Sequence, residues 1–480
     1  MRVTFIGHAS LLVEARGLSI LSDPWWRGPC FGAQWWVCPP PDLSPLEGPR
    51  TLDYIYISHG HEDHLHPGTL RRLDRAARVL VARSIGLAEA IRAEGFEVLE
   101  VAEGETLALG RGVGCRIVPT YGGDTYLVLS DGEETLINFN DAVHPLPTHI
   151  RNRFIARERK LNGRIDYMFC GHGVASHFPN CYLVPGKDSV ATSRKRQDYF
   201  NRAWADIARR LEPRFAFPFA ADVALLEEDL IWANETVHNA ERPPAVLRRL
   251  YPRCPVRAID IAPGFVIRDG EVEVSRTRAP LSSDRLRGEY ADQIERANRY
   301  GRVSPEDVAE VARLMSENLE RLGPYLASFS GDYSILGVFR NSETGIGITK
   351  RGAEMAVSPV SLSDVDRRGY DLVFTTRLPY LRRSLTVRHA NEILFVGSGI
   401  RFEYPDRARM KRDLHEELMV MVNPFASAPS RSTKNLKRRV KRLLRNEQLD
   451  LYNIERWTVF ADEGEAGRAA SVAGTPGGAL

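Results

Sequence analysis

Four side chains of the types that bind metal ions lie within six residues of this sequence. His59, His61, Asp63 and His64 form an H-x-H-x-D-H array, and His66 follows just outside it. Two histidines one residue apart in an extended segment project to the same side and can reach one divalent ion, while the next Asp and His turn toward a second ion. The array therefore predicts a metal centre. Imidazole and carboxylate ligands suit iron, zinc or manganese, and the array leaves all three open.

A buried strand must deliver this array. The run from Leu52 to Ile57 alternates and contains β-branched residues, so it predicts a strand whose C-terminal end carries the histidines onto a loop. Further on, residues 126–130 and 135–139 flank an Asp-Gly turn and predict a hairpin that ends at Asp141.

With these features the sequence resembles the metallo-β-lactamase superfamily. The segments from Phe5 to Ser10 and from Leu18 to Pro24 look like the opening strands of the branch that includes ascorbate-phosphate lactonase and N-acyl phosphatidylethanolamine phospholipase D. The resemblance implies an α/β fold, an αββα sandwich followed by a C-terminal α+β region. It also implies that Asp141 bridges two metal ions and that Asp23 orients a metal ligand through a hydrogen bond.

Two histidines of the superfamily's hydrolases have no counterpart in this sequence. Residues 119–124 and 217–222 occupy their places and contain no His. A site for two metal ions must then be completed from elsewhere. His172 and His177 are candidates for ligand or acid–base roles, and Asp63 is a further candidate for handling a proton.

Other motifs narrow the resemblance to the CMP-N-acetylneuraminate hydroxylase type of protein. They are Asp23-Pro24-Trp25, Trp35-Trp36, Asn138 to Asp141, Gly173 to Tyr182 and Phe395 to Phe402. The likeness covers most of residues 1–425. It implies two divalent metal ions, iron before zinc or manganese, and an oxygenase that hydroxylates or N-oxidises a polar or nucleotide-linked small molecule. The alternative is a binuclear zinc hydrolase of a phosphodiester, ester or lactone.

The hydroxylase type carries an N-terminal iron–sulfur domain, whereas this sequence begins with the first predicted strand. Cys170-Gly171-His172 has the form C-x-H, but no C-x-x-H partner occurs, so the ligand count excludes a Rieske cluster. Oxygen chemistry is then expected to use a separate electron donor, a ferredoxin or a reductase. Hydrolysis would need none.

Aromatic residues lie close to the predicted metal face. Trp25 and Trp36 could stack against a base or sugar ring, and Arg27 could contact a phosphate. The alternative is that the tryptophans only pack their loop onto the sandwich.

Composition fits a large cytoplasmic enzyme. The 480 residues are 43% hydrophobic, carry a formal net charge of +3, and include no apolar run of membrane length. The six cysteines are scattered without a framework spacing, which predicts reduced thiols. This balance predicts a small-molecule substrate and neither a nucleic-acid partner nor a membrane span.

Breaks in the pattern predict four segments. They are a metal-binding catalytic domain at 1–275, an α+β accessory domain at 283–425 for substrate recognition or as a lid, a basic helical segment at 430–460, and a disordered tail at 462–480. Within the accessory domain the patterns predict helices at 283–300 and 308–322, and strands at 333–339, 345–349 and 370–376.

Overall fold

The structure is a computed structural model that describes residues 1–47, 51–120, 123–173, 176–326, 331–406, 409 and 414–425. The predicted basic segment at 430–460 and the tail at 462–480 lie outside the described residues. Among the described helices, none is long and apolar enough to cross a membrane.

The described residues form twenty-three strands. In chain order they are β1 Arg2–Gly7, β2 Ser10–Ala15, β3 Leu18–Ser22, β4 Trp35–Val37, β5 Tyr54–Tyr56, β6 Arg78–Ala82, β7 Val98–Val101, β8 Leu107–Gly110, β9 Val113–Pro119, β10 Thr125–Ser130, β11 Thr135–Asn140, β12 Tyr167–Gly171, β13 Tyr182–Leu183, β14 Phe215–Phe219, β15 Val223–Leu225, β16 Arg257–Ala258, β17 Val266–Arg268, β18 Glu271–Val274, β19 Tyr333–Phe339, β20 Thr344–Arg351, β21 Glu354–Ser361, β22 Leu372–Thr376 and β23 Ile400–Glu403.

Twelve α-helices connect and cover these strands in the same part of the chain. They are α1 Pro67–Leu70, α2 Ala88–Ala93, α3 Thr148–Asn162, α4 Ser189–Leu211, α5 Ile231–His238, α6 Pro243–Leu250, α7 Ser283–Glu289, α8 Ala291–Ala297, α9 Pro305–Leu326, α10 Leu378–Thr386, α11 Glu392–Phe395 and α12 Leu414–Met421.

Two large mixed sheets and a third, separate sheet organise the strands. The first sheet has the order β18-β17-β1-β2-β3-β5-β6-β7, and the second has the order β16-β14-β12-β11-β10-β9-β8. The third has the order β13-β23-β22-β19-β20-β21, and β15 pairs with β4 in a small ribbon. The predicted α/β class, with two sheets followed by a further sheet region, is confirmed.

Successive side chains of a strand face opposite sides of its sheet, and this alternation explains the layers of sheets and helices. In β5 the rings of Tyr54 and Tyr56 enter a core between the two large sheets, whereas Ile55 enters a core on the outer face with helices α1 and α2. In β10 the side chain of Leu127 faces the inter-sheet core, and Val128 faces helices α3, α4 and α6. Because both faces of each sheet are buried at its centre, central strands such as β3 and β12 are buried along their whole length. The result is an αββα sandwich.

Two compact units divide the chain. The first comprises Met1–Val174, Arg194–Leu225 and Ile231–Tyr290, and the second comprises Ala175–Ser193, Leu226–Leu230 and Ala291–Leu480 as far as it is described. The predicted boundary after residue 275 differs from this division, since residues 276–290 pack with the first unit and 175–193 with the second. The predicted functions of the two segments stay predictions.

The second unit has its own core. Helices α9 to α12 pack on one face of the third sheet, and the two strands β19 and β22 at its centre are parallel. The strand predicted at 333–339 matches β19, and those predicted at 345–349 and 370–376 fall within one to three residues of β20 and β22.

Two helix predictions in this region were wrong in extent. The helix predicted at 283–300 is broken into α7 and α8 at Tyr290, whose hydroxyl donates to the carbonyl of Val37 at 2.7 Å. Tyr290 takes a non-helical ψ of 27° with a φ of −120°. The helix predicted to stop at residue 322 continues to Leu326, because Pro324 falls in its last turn, where its missing N–H removes a single backbone bond.

A buried carboxylate holds two arginines in the second unit. Glu227, whose side chain is 4% exposed, accepts hydrogen bonds at 2.7 Å from Arg401 and at 2.7 Å from Arg377. Removing one partner of a buried ion pair leaves the other charge uncompensated.

Replacing Glu227 with Gln is therefore expected to lower the free energy of unfolding by about 3–5 kcal/mol, measured by urea denaturation. The neighbouring Glu228 is exposed, and its replacement with Gln is the control, expected to change that free energy by less than about 0.5 kcal/mol. Equal effects of the two substitutions would contradict the assignment of this ion pair.

Candidate metal centre

The H-x-H-x-D-H array lies on the loop between β5 and α1. The chain leaves β5 at Tyr56, and the array then folds back so that His59, Asp63 and His64 are all buried. A one-turn helix, α1, begins directly after His66, whose ring nitrogen accepts from the backbone N–H of Thr69 at 3.1 Å. His66 thus caps a helix and is held away from the array.

One group of donor atoms surrounds His59. Its Nε2 lies 2.9 Å from Nδ1 of His61 and 3.9 Å from a carboxylate oxygen of Asp124. Asp124 immediately precedes β10. His61 and Asp124 thus each approach His59, but these three residues are not a set of ligand atoms within 4.8 Å of one another, as His59, His64 and Asp141 are.

A second group surrounds Asp63. Its Oδ2 lies 3.1 Å from Nε2 of His8 and 3.3 Å from Nε2 of His64. One ligand atom from each of these three residues lies within 4.8 Å of the others, and all three residues are buried. This group has the composition of a second metal site.

Asp141 lies between the two groups. It follows β11, and its Oδ2 is 3.5 Å from Nε2 of His64. His59, His64 and Asp141 also form a set of ligand atoms within 4.8 Å of one another. A carboxylate in this position can reach ions at both groups.

Hydrogen bonds from residues at three strand ends hold the array through Ser58 and through the Nδ1 atoms of its histidines. Asp23 accepts from the backbone N–H of Ser58 at 2.8 Å and lies 3.3 Å from Nδ1 of His64. Asn140 donates to Asp23 and, at 3.0 Å, to the hydroxyl of Ser58, which is 2.9 Å from Nδ1 of His59. The outer nitrogens of both imidazoles are thereby occupied, and their Nε2 atoms face the donor groups.

Unsatisfied buried oxygens indicate that the donor set suits a cation. Oδ1 of Asp63 and Oδ1 of Asp141 are buried and have no hydrogen-bond partner among the described residues. Burying a carboxylate oxygen without a partner is costly, and coordination to a metal ion removes that cost. Imidazole and carboxylate side chains are also the ligand types that divalent zinc, iron and manganese accept.

The pKa values of His59 and His64 are shifted in opposite directions. Burial lowers the pKa of His59 well below its ordinary value, and the neighbouring His64 and His61 lower it further, so its ring is neutral. Burial alone would lower the pKa of His64 as well, but Asp63, Asp141 and Asp23 outweigh it and raise that pKa well above its ordinary value. Positive charge is therefore stabilised where Asp63 and Asp141 approach His64.

Neither His172 nor His177 belongs to the sets of ligand atoms found among the described residues. His172 is buried in the first unit, where its Nδ1 lies 3.1 Å from the amide oxygen of Asn201, and it belongs to neither group of ligand atoms. Burial lowers its pKa to about 3. His177 belongs to the second unit and packs against the rings of Tyr182 and Phe395. Their predicted catalytic roles stay predictions.

The predicted substrate-binding residues differ in exposure. Trp25 is 0% exposed, its Nε1 donates to the carbonyl of Gly28 at 3.0 Å, and no face of its ring is open to a ligand in this structure. Arg27 is exposed and Trp36 is half-buried. A substrate role for these last two residues stays a prediction.

Sequence reasoning missed two donors, His8 and Asp124. His8 follows β1 and Asp124 precedes β10, so each lies at a strand end, far in sequence from the array. Asp124 falls within the segment noted only for its lack of His, and a carboxylate there was a usable signal. His8 offered less, because only the pairing of β1 with β2 and the fold of the first sheet bring it to Asp63.

Comparisons with known proteins give a consistent family relationship over part of the chain. Residues 2–147 match the family described as Beta-lactamase superfamily domain. A protein of Mycolicibacterium smegmatis named as a Rieske 2Fe-2S iron-sulfur protein is 30% identical over 252 residues, which are 49% of this chain and 46% of that protein. The cytidine monophosphate-N-acetylneuraminic acid hydroxylase of Xenopus laevis is 38% identical over 73 residues, 15% of this chain and 12% of the hydroxylase. The chain thus spans less than half the length of these relatives.

Solved structures are similar only at low scores. A CmlA beta-hydroxylase variant aligns with a TM-score of 0.38 at 19% identity, covering 56% of this chain and 53% of that one. A metallo hydrolase from Ignicoccus hospitalis aligns with a TM-score of 0.37 at 15% identity, covering 55% of this chain and 97% of that one.

Replacing His59 and His61 together with Ala is expected to weaken binding of at least one metal ion by about 100-fold or more, because even residues that only support ligands contribute 10–100-fold. Metal content after dialysis, measured by elemental analysis, checks this. His389 has a side chain 76% exposed, and its replacement with Ala is the control, expected to leave the metal content unchanged. An unchanged metal content in the double variant would rule out the array as the metal centre.

Proposed function

Because residues 2–147 form a metallo-β-lactamase superfamily domain that contains the complete array, we propose that the chain is a metal-dependent oxygenase. It holds two iron ions and inserts an oxygen atom into a C–H or N–H bond of a polar small molecule. His59, His61 and Asp124 would hold one ion, Asp63 and His64 would hold the other, and Asp141 would contribute its carboxylate from between the two groups.

The observation that carries the proposal is the ligand set around His59. Two imidazoles and one carboxylate, with positions left open, are typical of non-haem iron oxygenases. His59 and His61 supply the imidazoles, with 2.9 Å between their facing nitrogens, and Asp124 supplies the carboxylate 3.9 Å from His59. The resemblance places a histidine of the hydrolases within the segment 119–124, which ends with Asp124 here. A carboxylate there makes the set harder than imidazoles alone would, which suits iron and manganese as well as zinc.

The similar proteins support the same direction. One bears the name of a hydroxylase and another that of an iron–sulfur protein. Those names describe their own proteins. Both names nevertheless refer to redox proteins, and this likeness favours oxygenation over hydrolysis as the reaction of this chain.

Iron, when bound, would supply the activation of dioxygen, and the side chains of the chain have other tasks. Asp23 and Asn140, through Ser58, keep His59 and His64 oriented with their Nε2 atoms inward. Burial of His59, Asp63 and His64 limits the access of bulk water to the reacting atoms. Hydroxylation by dioxygen consumes two electrons and two protons and releases one water, so a ferredoxin or reductase must deliver the electrons.

A cavity in the first unit suits a polar substrate. It has a volume of about 330 Å³, within the range of small-molecule sites. Arg276, Arg278, Arg285 and Glu289 line it together with apolar residues, and the three arginines form ion pairs with Asp42, Asp222 and Glu289. It shares Cys38, Pro39 and Arg278 with a smaller cavity that His8 lines. Guanidinium groups recognise phosphate and carboxylate. An anionic substrate such as a nucleotide-linked sugar therefore fits the larger cavity.

Oxygen-18 incorporation tests the proposal. The chain is loaded anaerobically with Fe(II), supplied with a ferredoxin and its reductase, and exposed to labelled dioxygen with a panel of nucleotide-linked sugars that begins with cytidine monophosphate-N-acetylneuraminic acid. Mass spectrometry is expected to show one labelled oxygen atom in a product. Replacing Asp124 with Asn should lower the rate by at least about 100-fold.

Asp74 is an exposed aspartate of the same domain, and its replacement with Asn is the control, expected to leave the rate unchanged. Hydrolysis of a phosphodiester, ester or lactone by the zinc-loaded protein, without labelled product from any substrate of the panel, would contradict the proposal and favour the hydrolase.

A further inference from the structure

The end of β14 contacts His8 at the place where the resemblance would put a metal-binding histidine. Residues 217–222 contain no His. The backbone N–H of Ala220 donates to the carbonyl of His8 at 3.0 Å, and the carbonyl of Asp222 lies 3.2 Å from Nδ1 of His8. The segment that lacks the histidine therefore holds a different histidine in the same region.

Hydrogen bonding defines which nitrogen of His8 is free to bind a metal. A carbonyl oxygen only accepts, so Nδ1 of His8 carries the hydrogen and donates it to Asp222. In the neutral ring Nε2 then carries a lone pair. Nε2 faces Oδ2 of Asp63 at 3.1 Å, a distance at which the two atoms can share a proton or bind one metal ion.

His64 repeats the arrangement from the other side. Its Nδ1 lies against Asp23 at 3.3 Å, and its Nε2 faces Asp63 at 3.3 Å. Two imidazole nitrogens and one carboxylate oxygen thus converge in a buried space. This is the ligand set of a metal site with room for a further, exchangeable ligand.

The surroundings hold His8 in this position. Its ring is buried and packs edge-on against Trp25, with 4.9 Å between the ring centroids. Its backbone takes a left-handed φ of 47°, which costs a residue with a Cβ about 1–2 kcal/mol. Strain of this kind persists where the surrounding structure fixes a residue for a purpose. A cavity of about 10 Å³ beside His8 has room for about one water molecule.

We infer that His8, Asp63 and His64 hold the second metal ion, and that His8 replaces the histidine that the end of β14 does not supply. This inference rests on the metal-dependent function proposed above and assigns the ligands of one of its two ions. The carbonyl of Asp222 acts as the positioning group that presents Nε2 of His8 to the ion.

Cobalt(II) titration of the metal-free full chain tests the inference, with binding followed by the visible spectrum and by equilibrium dialysis. The unsubstituted chain is expected to bind two ions. Replacing His8 with Gln keeps a polar group that can donate to Asp63 but removes the imidazole. The substitution should weaken binding of the second cobalt ion by at least about 100-fold and leave the affinity for the first ion unchanged. Replacing His8 with Ala should do the same.

His66, a buried histidine of the same loop that belongs to neither donor group, gives the matched control. Its replacement with Gln is expected to leave both cobalt affinities within about threefold. X-ray absorption of the cobalt-loaded, unsubstituted chain is an independent measurement that no folding defect can affect. It should show about two imidazoles per ion, against about one and a half if His8 is not a ligand.

Retention of the second ion within about threefold in the His8→Gln variant would overturn the inference and leave the proposed function standing. The lower imidazole count, or binding of a single ion by the unsubstituted chain, would also overturn it. A chain that binds no metal ion at all would remove both the inference and the proposed function.

Discussion

The charge of one buried carboxylate governs the architecture of this site. Oδ2 of Asp63 lies 3.1 Å from Nε2 of His8 and 3.3 Å from Nε2 of His64, and all three residues are buried. A carboxylate that is removed from water in this way requires a positive charge beside it. The sandwich surrounds these atoms with two large sheets, so the site has little freedom to relax. A bound cation is therefore the element on which the rest of the site depends.

The strand ends explain how the fold delivers so many donors to one place. His8 and Asp23 directly follow a strand, Asn140 is the last residue of one, and each takes a left-handed φ, between 38° and 49°. Ala220, at the end of β14, has a φ of 51°. Turning the chain sharply as a strand ends directs the next side chain across the end of the sheet. The cost is about 1–2 kcal/mol for each residue, and the network of buried hydrogen bonds around Ser58 offsets it.

Much of the fold and part of the site could be predicted from the sequence. The apolar alternation around residues 54–57, 126–130 and 333–339 is local, and strands follow from it directly. The array was recognisable because its four ligands lie within six residues. His8 and Asp124 were missed because their proximity to the array is created by strand pairing and by packing between sheets, which no local pattern records. The break at Tyr290 was missed for a similar reason, since a hydroxyl contact with the distant Val37 decides it.

The metal content of the full chain, purified anaerobically from cells supplied with iron-57, tests the central claim most directly. Elemental analysis with Mössbauer spectroscopy is expected to show about two irons per chain with the spectrum of a coupled pair, because Asp141 lies between the two donor groups. Stoichiometric zinc that iron does not displace would contradict the account.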